Sequence, residues 1–217
     1  MHLLKENYGW PYSACFLINK FKYMYKLIFA SHNDNKTKEI SAIFNGLIAI
    51  KSLKEIGFLE EIIESGNTLE ENAALKANAV YKATQLDCFA DDTGLLVSAL
   101  NGKPGVHTAR FAGPDKNPQL NNQKLLEVMQ NQSDRSASFV TIIQLIFSGN
   151  SYLFKGELKG TIATKPMGEE GFGYDPIFIP LNANRTLAQM TLDEKNSLSH
   201  RSIAFKSMLQ FLKEKLN

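Results

Sequence analysis

Apolar residues along this chain fall into two rhythms. Short runs, Leu27 to Ala30, Ile48 to Leu53 and Cys88 to Ala90, read as strands, the first of them buried. Longer stretches repeat at three and four residues. Lys38 to Phe44 places Ile40, Ile43 and Phe44 inward, Leu69 to Leu86 places Ala73, Ala77, Val80 and Thr84 on one face, and Leu120 to Gln130 reads as a third helix. Leu95 to Leu100 looks extended. Ser138 to Phe147 and Tyr152 to Ile162 read as two strands joined by Ser148-Gly149-Asn150, a hairpin signal. Near the end, Thr191 and Glu194 form a capping box, and Ser199 caps a last helix with Ala204, Met208, Phe211 and Leu212 along its apolar stripe. Strands and helices mix throughout without a repeat, so the expected class is α/β or α+β.

Composition narrows the functions available. A length of 217 residues can bury a substantial core. A net charge of +2 argues against a dedicated nucleic-acid binder, and no apolar run approaches the ~20 residues that span a bilayer. Two cysteines, Cys15 and Cys88, supply no disulfide framework and fit a reducing cytoplasm. Residues 1–23 have no helical or strand period, and Asn19 and Lys20 interrupt the only short apolar run, so a secretory signal is disfavoured. Met24 leads straight into the first strand. The expectation is an N-terminal extension over 1–23 outside the core fold, followed by a single domain over 24–217.

The candidate chemistry centres on Phe89-Ala90-Asp91-Asp92-Thr93-Gly94-Leu95, where two carboxylates are expected to close a strand and meet a Thr-Gly turn. Such a pair either caps the turn or holds a hard divalent cation together with substrate phosphates. Upstream, Ser31-His32-Asn33-Asp34-Asn35-Lys36 is a polar loop between strand and helix, where backbone N–H groups and a helix N-terminus can meet a phosphate.

Six blocks occur in order: S-H-N-D-N-K (31–36), E-S-G-N-T-L-E-E-N-A-A-L-K (64–76), F-A-D-D-T-G-L (89–95), G-K-P-G-V-H-T-A-R-F-A-G (102–113), G-F-G-Y-D-P-I-F (171–178) and E-K-N-S-L-S-H-R (194–201). Together they resemble the inosine triphosphate pyrophosphatase family, the dITP/XTP pyrophosphatases, from about Lys26 to the last helix. The resemblance implies magnesium-dependent hydrolysis of ITP, dITP and XTP to the monophosphate and pyrophosphate. It also implies an elongated two-lobed fold around a long mixed sheet, a site in the cleft between lobes, and a homodimer.

Residue by residue, the resemblance places Ser31, His32, Asn33, Asp34, Asn35 and Lys36 in a loop that wraps the triphosphate. His32 stands where the family has glycine, and reads as a loop residue rather than a ligand. Lys76 should face phosphate oxygens, with Asn72 on its helix face. Glu64 and Asp92 match metal ligands, and Asp92 matches the catalytic aspartate that accepts a proton from the attacking water. Asp91 supports it. Thr93 replaces a serine and keeps a hydroxyl for the substrate. Phe172, Gly173, Tyr174 and Asp175 match the segment lining the base pocket, and Lys195, His200 and Arg201 the block that reads the nucleotide. Donors from His200, Lys195, Arg201 or the backbone, aimed at the C6 oxygen of inosine or xanthine, would leave the amino group of adenine unpaired.

Overall fold

The structure, a computed structural model, describes residues 25–32, 34–44 and 48–216. The expected extension over 1–23 lies outside the described residues. One open seven-stranded mixed sheet organises the rest. Its strands are β1 (Tyr25–Phe29), β2 (Ile48–Ser52), β3 (Cys88–Val97), β4 (Pro104–Gly105), β5 (Ser136–Phe147), β6 (Asn150–Ile162) and β7 (Phe178–Pro180). They lie in the order β2-β1-β3-β5-β6-β7, with β4 added alongside β3. Pairing is parallel at β2-β1-β3 and antiparallel elsewhere. The helices are α1 (Asp34–Phe44), α2 (Leu69–Thr84), α3 (Pro118–Val128), α4 (Leu192–Leu198) and α5 (His200–Leu216).

Local chemistry sets the helix ends. Thr68 accepts the Glu71 N–H at 3.1 Å, and Glu70 and Glu71 lie in the first turn of α2, where the helix dipole favours negative charge. The expected capping box forms at α4, where Thr191 and Glu194 satisfy each other's backbone N–H groups. Ser199 Oγ accepts the Ser202 N–H at 3.1 Å at the start of α5. Of the inward residues the periodicity marks, Ile40, Phe44, Ala73, Ala77, Val80, Ala204, Met208 and Leu212 are fully buried, while Ile43, Thr84 and Phe211 are half-buried. One boundary differs. Helix α1 begins at Asp34, so Asp34, Asn35 and Lys36 occupy its first turn rather than the loop before it.

The larger correction concerns β3. Asp91 and Asp92 do not close a strand, and Thr93-Gly94 is no turn: all ten residues of β3 pair antiparallel with β5. A residue window that is polar in sequence is extended here because Ile142 and Ile143 of β5 hold it in register. On its other edge β3 meets β1 only at Cys88 and Phe89 and β4 only at Leu95 and Leu96. Between them, this second edge of Ala90 to Gly94 has no strand partner among the described residues, a window about 16 Å long.

Two apolar regions flank that window. Leu27, Phe29, Phe89, Ile143 and the buried face of α5 form one. Leu95, Leu125, Phe139, Ile177, Phe178 and Leu187 form the other. The long strands β3, β5 and β6 run through both, so functional side chains at mid-strand sit where the two regions meet.

Candidate active site

Successive residues of a strand point to opposite faces of its sheet, and this separates the two aspartates. Asp91 faces α1 and α5. Its carboxylate receives Lys36 Nζ at 3.1 Å on both oxygens and lies 3.9 Å from Arg201 Nε. Burial by itself would raise the Asp91 carboxyl, but Lys36, Arg201 and Lys76 outweigh it and hold it below its ordinary value. Asp91 is therefore a buried anion that fixes two cations at the sheet.

Asp92 faces α2. Lys76 Nζ lies 3.3 Å from its Oδ1 and 2.8 Å from Glu64 Oε1, and the Asn72 side chain also hydrogen-bonds Asp92. Asn72 is itself positioned through Oδ1, which accepts the Gly66 N–H at 2.8 Å and ties the loop bearing Glu64 to the helix bearing Lys76. Burial and then the Glu64 charge raise the Asp92 carboxyl, against the pull of Lys76. The two aspartates thus titrate apart, and the neighbour that lifts Asp92 is Glu64 rather than Asp91. Lys76 stays charged: burial lowers it, but Asp92, Glu64 and Asp91 raise it further.

Two carboxylates converging on one ammonium are a donor set that also suits a hard divalent cation. Magnesium takes one or two protein carboxylates and completes its shell from phosphate and water. Among the described residues no group of three or more His, Cys, Asp or Glu gathers, so an ion at Glu64 and Asp92 would draw its remaining ligands from substrate and solvent.

On the Asp91 face lies a cavity of about 520 Å³, within the usual range for a small-molecule site. Lys36, Thr93, Lys195, His200 and Arg201 supply its polar groups, and Phe139, Phe172 and Tyr174 its aromatic ones. Lys195 pairs with Asp175, which also accepts the Phe172 N–H at 2.9 Å, and its ammonium sits 4.7 Å from the Phe172 ring centre. Phe172 is 69% exposed, unlike a core phenylalanine. Tyr174 is buried and its hydroxyl donates to Thr108 C=O at 2.9 Å, so its ring forms cavity wall and its oxygen is already engaged.

His200, the first residue of α5, stacks on Phe139 with ring centres 5.1 Å apart. Burial first, then the Arg201 and Lys195 charges, push its imidazole down to about 3. It is a neutral ring near neutral pH. Its position depends on Gly156 of β6: a side chain there would strike His200 C=O and come within 2.6 Å of Ala204 N, so only glycine lets α5 start flush against the sheet.

Most residues singled out from sequence therefore meet in two groups, one around the cavity (Lys36, Thr93, Phe172, Gly173, Tyr174, Asp175, Lys195, His200, Arg201) and one on the opposite face (Glu64, Lys76, Asp92). His32 is exposed, with Nε2 3.2 Å from Glu60 C=O, and does not line the cavity. Ser31 follows β1, its carbonyl 3.5 Å from Leu53 N. Asn33 lies outside the described residues. Sequence reasoning missed Phe139 and Thr141, which carry His200; a lone threonine inside the apolar run Phe139 to Phe147 was the available signal.

The chain is similar to known proteins over most of its length. The chain is 46% identical over 187 residues to a dITP/XTP pyrophosphatase of Christiangramia forsetii, covering 86% of this chain and 98% of that relative. A dITP/XTP pyrophosphatase of Bacillus subtilis is 44% identical over 193 residues, covering 87% and 98%. The solved structure of a Staphylococcus aureus Ham1 protein superposes with a TM-score of 0.82 at 39% identity, over 88% of this chain and 99% of that one. A HAM1 protein from Coxiella burnetii gives 0.84 at 38%, over 88% and 100%. The profile of the Ham1 family matches residues 27–211, a span that holds every member of both side-chain groups, and the chain belongs to the Ham1 family.

Proposed function

We propose that this protein hydrolyses the non-canonical purine nucleoside triphosphates ITP, dITP and XTP to the monophosphate and pyrophosphate. The observation that carries the reading is the pairing of a nucleotide-sized cavity, bearing Lys36 and Arg201, with the Asp92 cluster on the other face of β3. The names of the relatives from Christiangramia forsetii and Bacillus subtilis support the same substrates.

In this mechanism Asp92 is the general base. It accepts a proton from water attacking the α-phosphorus. Glu64 and Asp92 would hold Mg²⁺, which when bound neutralises phosphate charge and acidifies water. Lys36 and Lys76 stabilise the charge that develops on the departing pyrophosphate. The segment 31–36 wraps the triphosphate. Phe172 stacks on the base, a contact worth ~1–3 kcal/mol that does not itself distinguish purines. Discrimination falls to donors on the opposite edge, Lys195 and Arg201 among them, which pair with a 6-oxo group and leave a 6-amino group unsatisfied.

Pyrophosphate release from ITP, dITP, XTP, GTP, ATP and dTTP, with and without magnesium, tests this reading. Magnesium-dependent turnover confined to the first three is expected. Turnover of dTTP instead would indicate a pyrimidine-directed nucleotide pyrophosphatase, and no turnover a nucleotide-binding protein. The working form we propose is a cytoplasmic homodimer acting without nucleic acid or membrane, and sedimentation at micromolar concentration checks the dimer. Among the described residues no helix is long and apolar enough to cross a membrane.

A further inference from the structure

Thr141 stands at the middle of β5, fully buried, between the core residues Val140 and Ile142. A buried hydroxyl is costly unless it is hydrogen-bonded, and this one has two partners. Its Oγ1 lies 2.8 Å from Thr93 Oγ1, directly opposite across the β3–β5 pair, and 2.6 Å from His200 Nδ1. Thr93 and His200 both line the cavity, whereas Thr141 lies behind them. A three-group chain therefore joins two points of the cavity wall through the interior.

With the buried Thr141 proton spent inside the chain, since an unpaired one is costly, hydrogen-bond counting leaves two orders. Each hydroxyl donates once, and a neutral imidazole, which the burial of His200 enforces, carries one N–H. In the first order Nδ1–H donates to Thr141, Thr141 donates to Thr93, and Thr93 donates into the cavity, leaving Nε2 a bare acceptor. In the second order Thr93 donates to Thr141, Thr141 donates to Nδ1, and Nε2 carries the proton. Both contain the same three protons, so the choice changes no net charge. A phosphate oxygen only accepts, and Lys36 and Arg201 border the cavity beside Thr93.

We propose that Thr141 is a positioning residue that ties the tautomer of His200 to the ligand of Thr93, so that phosphate at Thr93 makes His200 Nε2 a hydrogen-bond acceptor. An acceptor there favours a ligand edge bearing an N–H, such as the N1–H of a 6-oxopurine, and opposes the bare N1 of adenine. The C6 oxygen is then left to Lys195 and Arg201. Phosphate occupancy and base choice become coupled through one buried hydroxyl. The phosphate and purine of this inference rest on the function proposed above; the relay itself rests on the three side chains.

Two measurements on the full chain separate those levels. The ¹⁵N shifts of His200, recorded with tripolyphosphate as the probe, should report the Nδ1–H tautomer in the wild type and in Thr141→Ser, and a loss of that preference in Thr141→Val. The ratio of kcat/KM for ITP over ATP should fall by about tenfold in Thr141→Val, from loss of one buried hydrogen bond, and recover in Thr141→Ser. An Nε2–H tautomer in the wild type with tripolyphosphate, or a Thr141→Val chain with wild-type tautomer and ratio, would overturn the proposal. If the wild type turns over neither nucleotide, the functional reading fails while the tautomer still decides the relay.

Discussion

Gly156 offers a direct test of how the sheet sets the position of the last helix. Replacing it with alanine adds one methyl group, 2.6 Å from Ala204 N and 3.0 Å from the His200 carbonyl carbon, with the His200 oxygen nearer still. Ordinary contacts are about 3.5 Å, and both obstacles are backbone, which no rotamer change can move aside. Helix α5 must therefore lift by about 1 Å at its first turn. Overpacking of this kind costs ~1–3 kcal/mol, which for a chain of this size lowers Tm by about 2–12 °C. The same lift carries His200 and Arg201 away from the cavity, and a displacement near 1 Å at a reacting site can cost about 100-fold in rate. Thermal unfolding by circular dichroism together with kcat/KM for ITP measures both effects. A Gly156→Ala protein with wild-type Tm and wild-type turnover would refute the claim that this contact seats the helix.

The two aspartates should part company. Asp91→Asn leaves Lys36 and Arg201 against a neutral group and should destabilise the fold by ~3–5 kcal/mol in urea unfolding, whereas Asp92→Asn relieves a carboxylate that burial disfavours, keeping stability while abolishing pyrophosphate release. Stability should also fall on acidification: the folded His200 titrates near 3 and its unfolded counterpart near 6.5, so between these values the unfolded chain binds one more proton and ΔG drops by ~1.4 kcal/mol per pH unit. Asp91, lowered below 3.8, adds a further loss as pH drops through its folded value; a His200→Asn variant with an unchanged slope between pH 6 and 4 would contradict the histidine assignment. Phe172→Ala should leave Tm unaltered because the ring is already exposed, yet raise KM for ITP by about 5- to 150-fold if the ring stacks on the base. Calorimetric titration with Mg²⁺ and a non-hydrolysable nucleotide should lose the metal-dependent part of the heat in Glu64→Gln, and an unchanged titration would remove Glu64 from the metal site.

Much of this molecule is legible in one dimension. The periodicity of Leu69 to Thr84, the capping box at Thr191 and Glu194, and the hairpin at Ser148 to Asn150 are local features, set by residues within a few positions of one another, and the fold keeps all of them. The ordered blocks around Lys36, Lys76, Asp92, Lys195 and Arg201 are likewise readable, because a phosphate site needs particular charged groups and these recur in a fixed sequence.

What the chain by itself left undecided depended on distant partners. Asp-Asp-Thr-Gly has the composition of a turn, and it is strand only because β5, some fifty residues later, pairs with every one of its residues. That pairing sends adjacent carboxylates to opposite faces, one to Lys36 and Arg201 and one to Lys76 and Glu64, so their titrations diverge in a way no reading of two neighbouring letters reveals. Thr141 looked like a strand residue among others until the register set it between Thr93 and His200. The sequence determined which chemical groups exist and which segments form elements, since those follow from local sterics and periodicity. The tertiary structure decided which groups face each other, since pairing register and strand alternation are set by contacts between residues far apart in the chain.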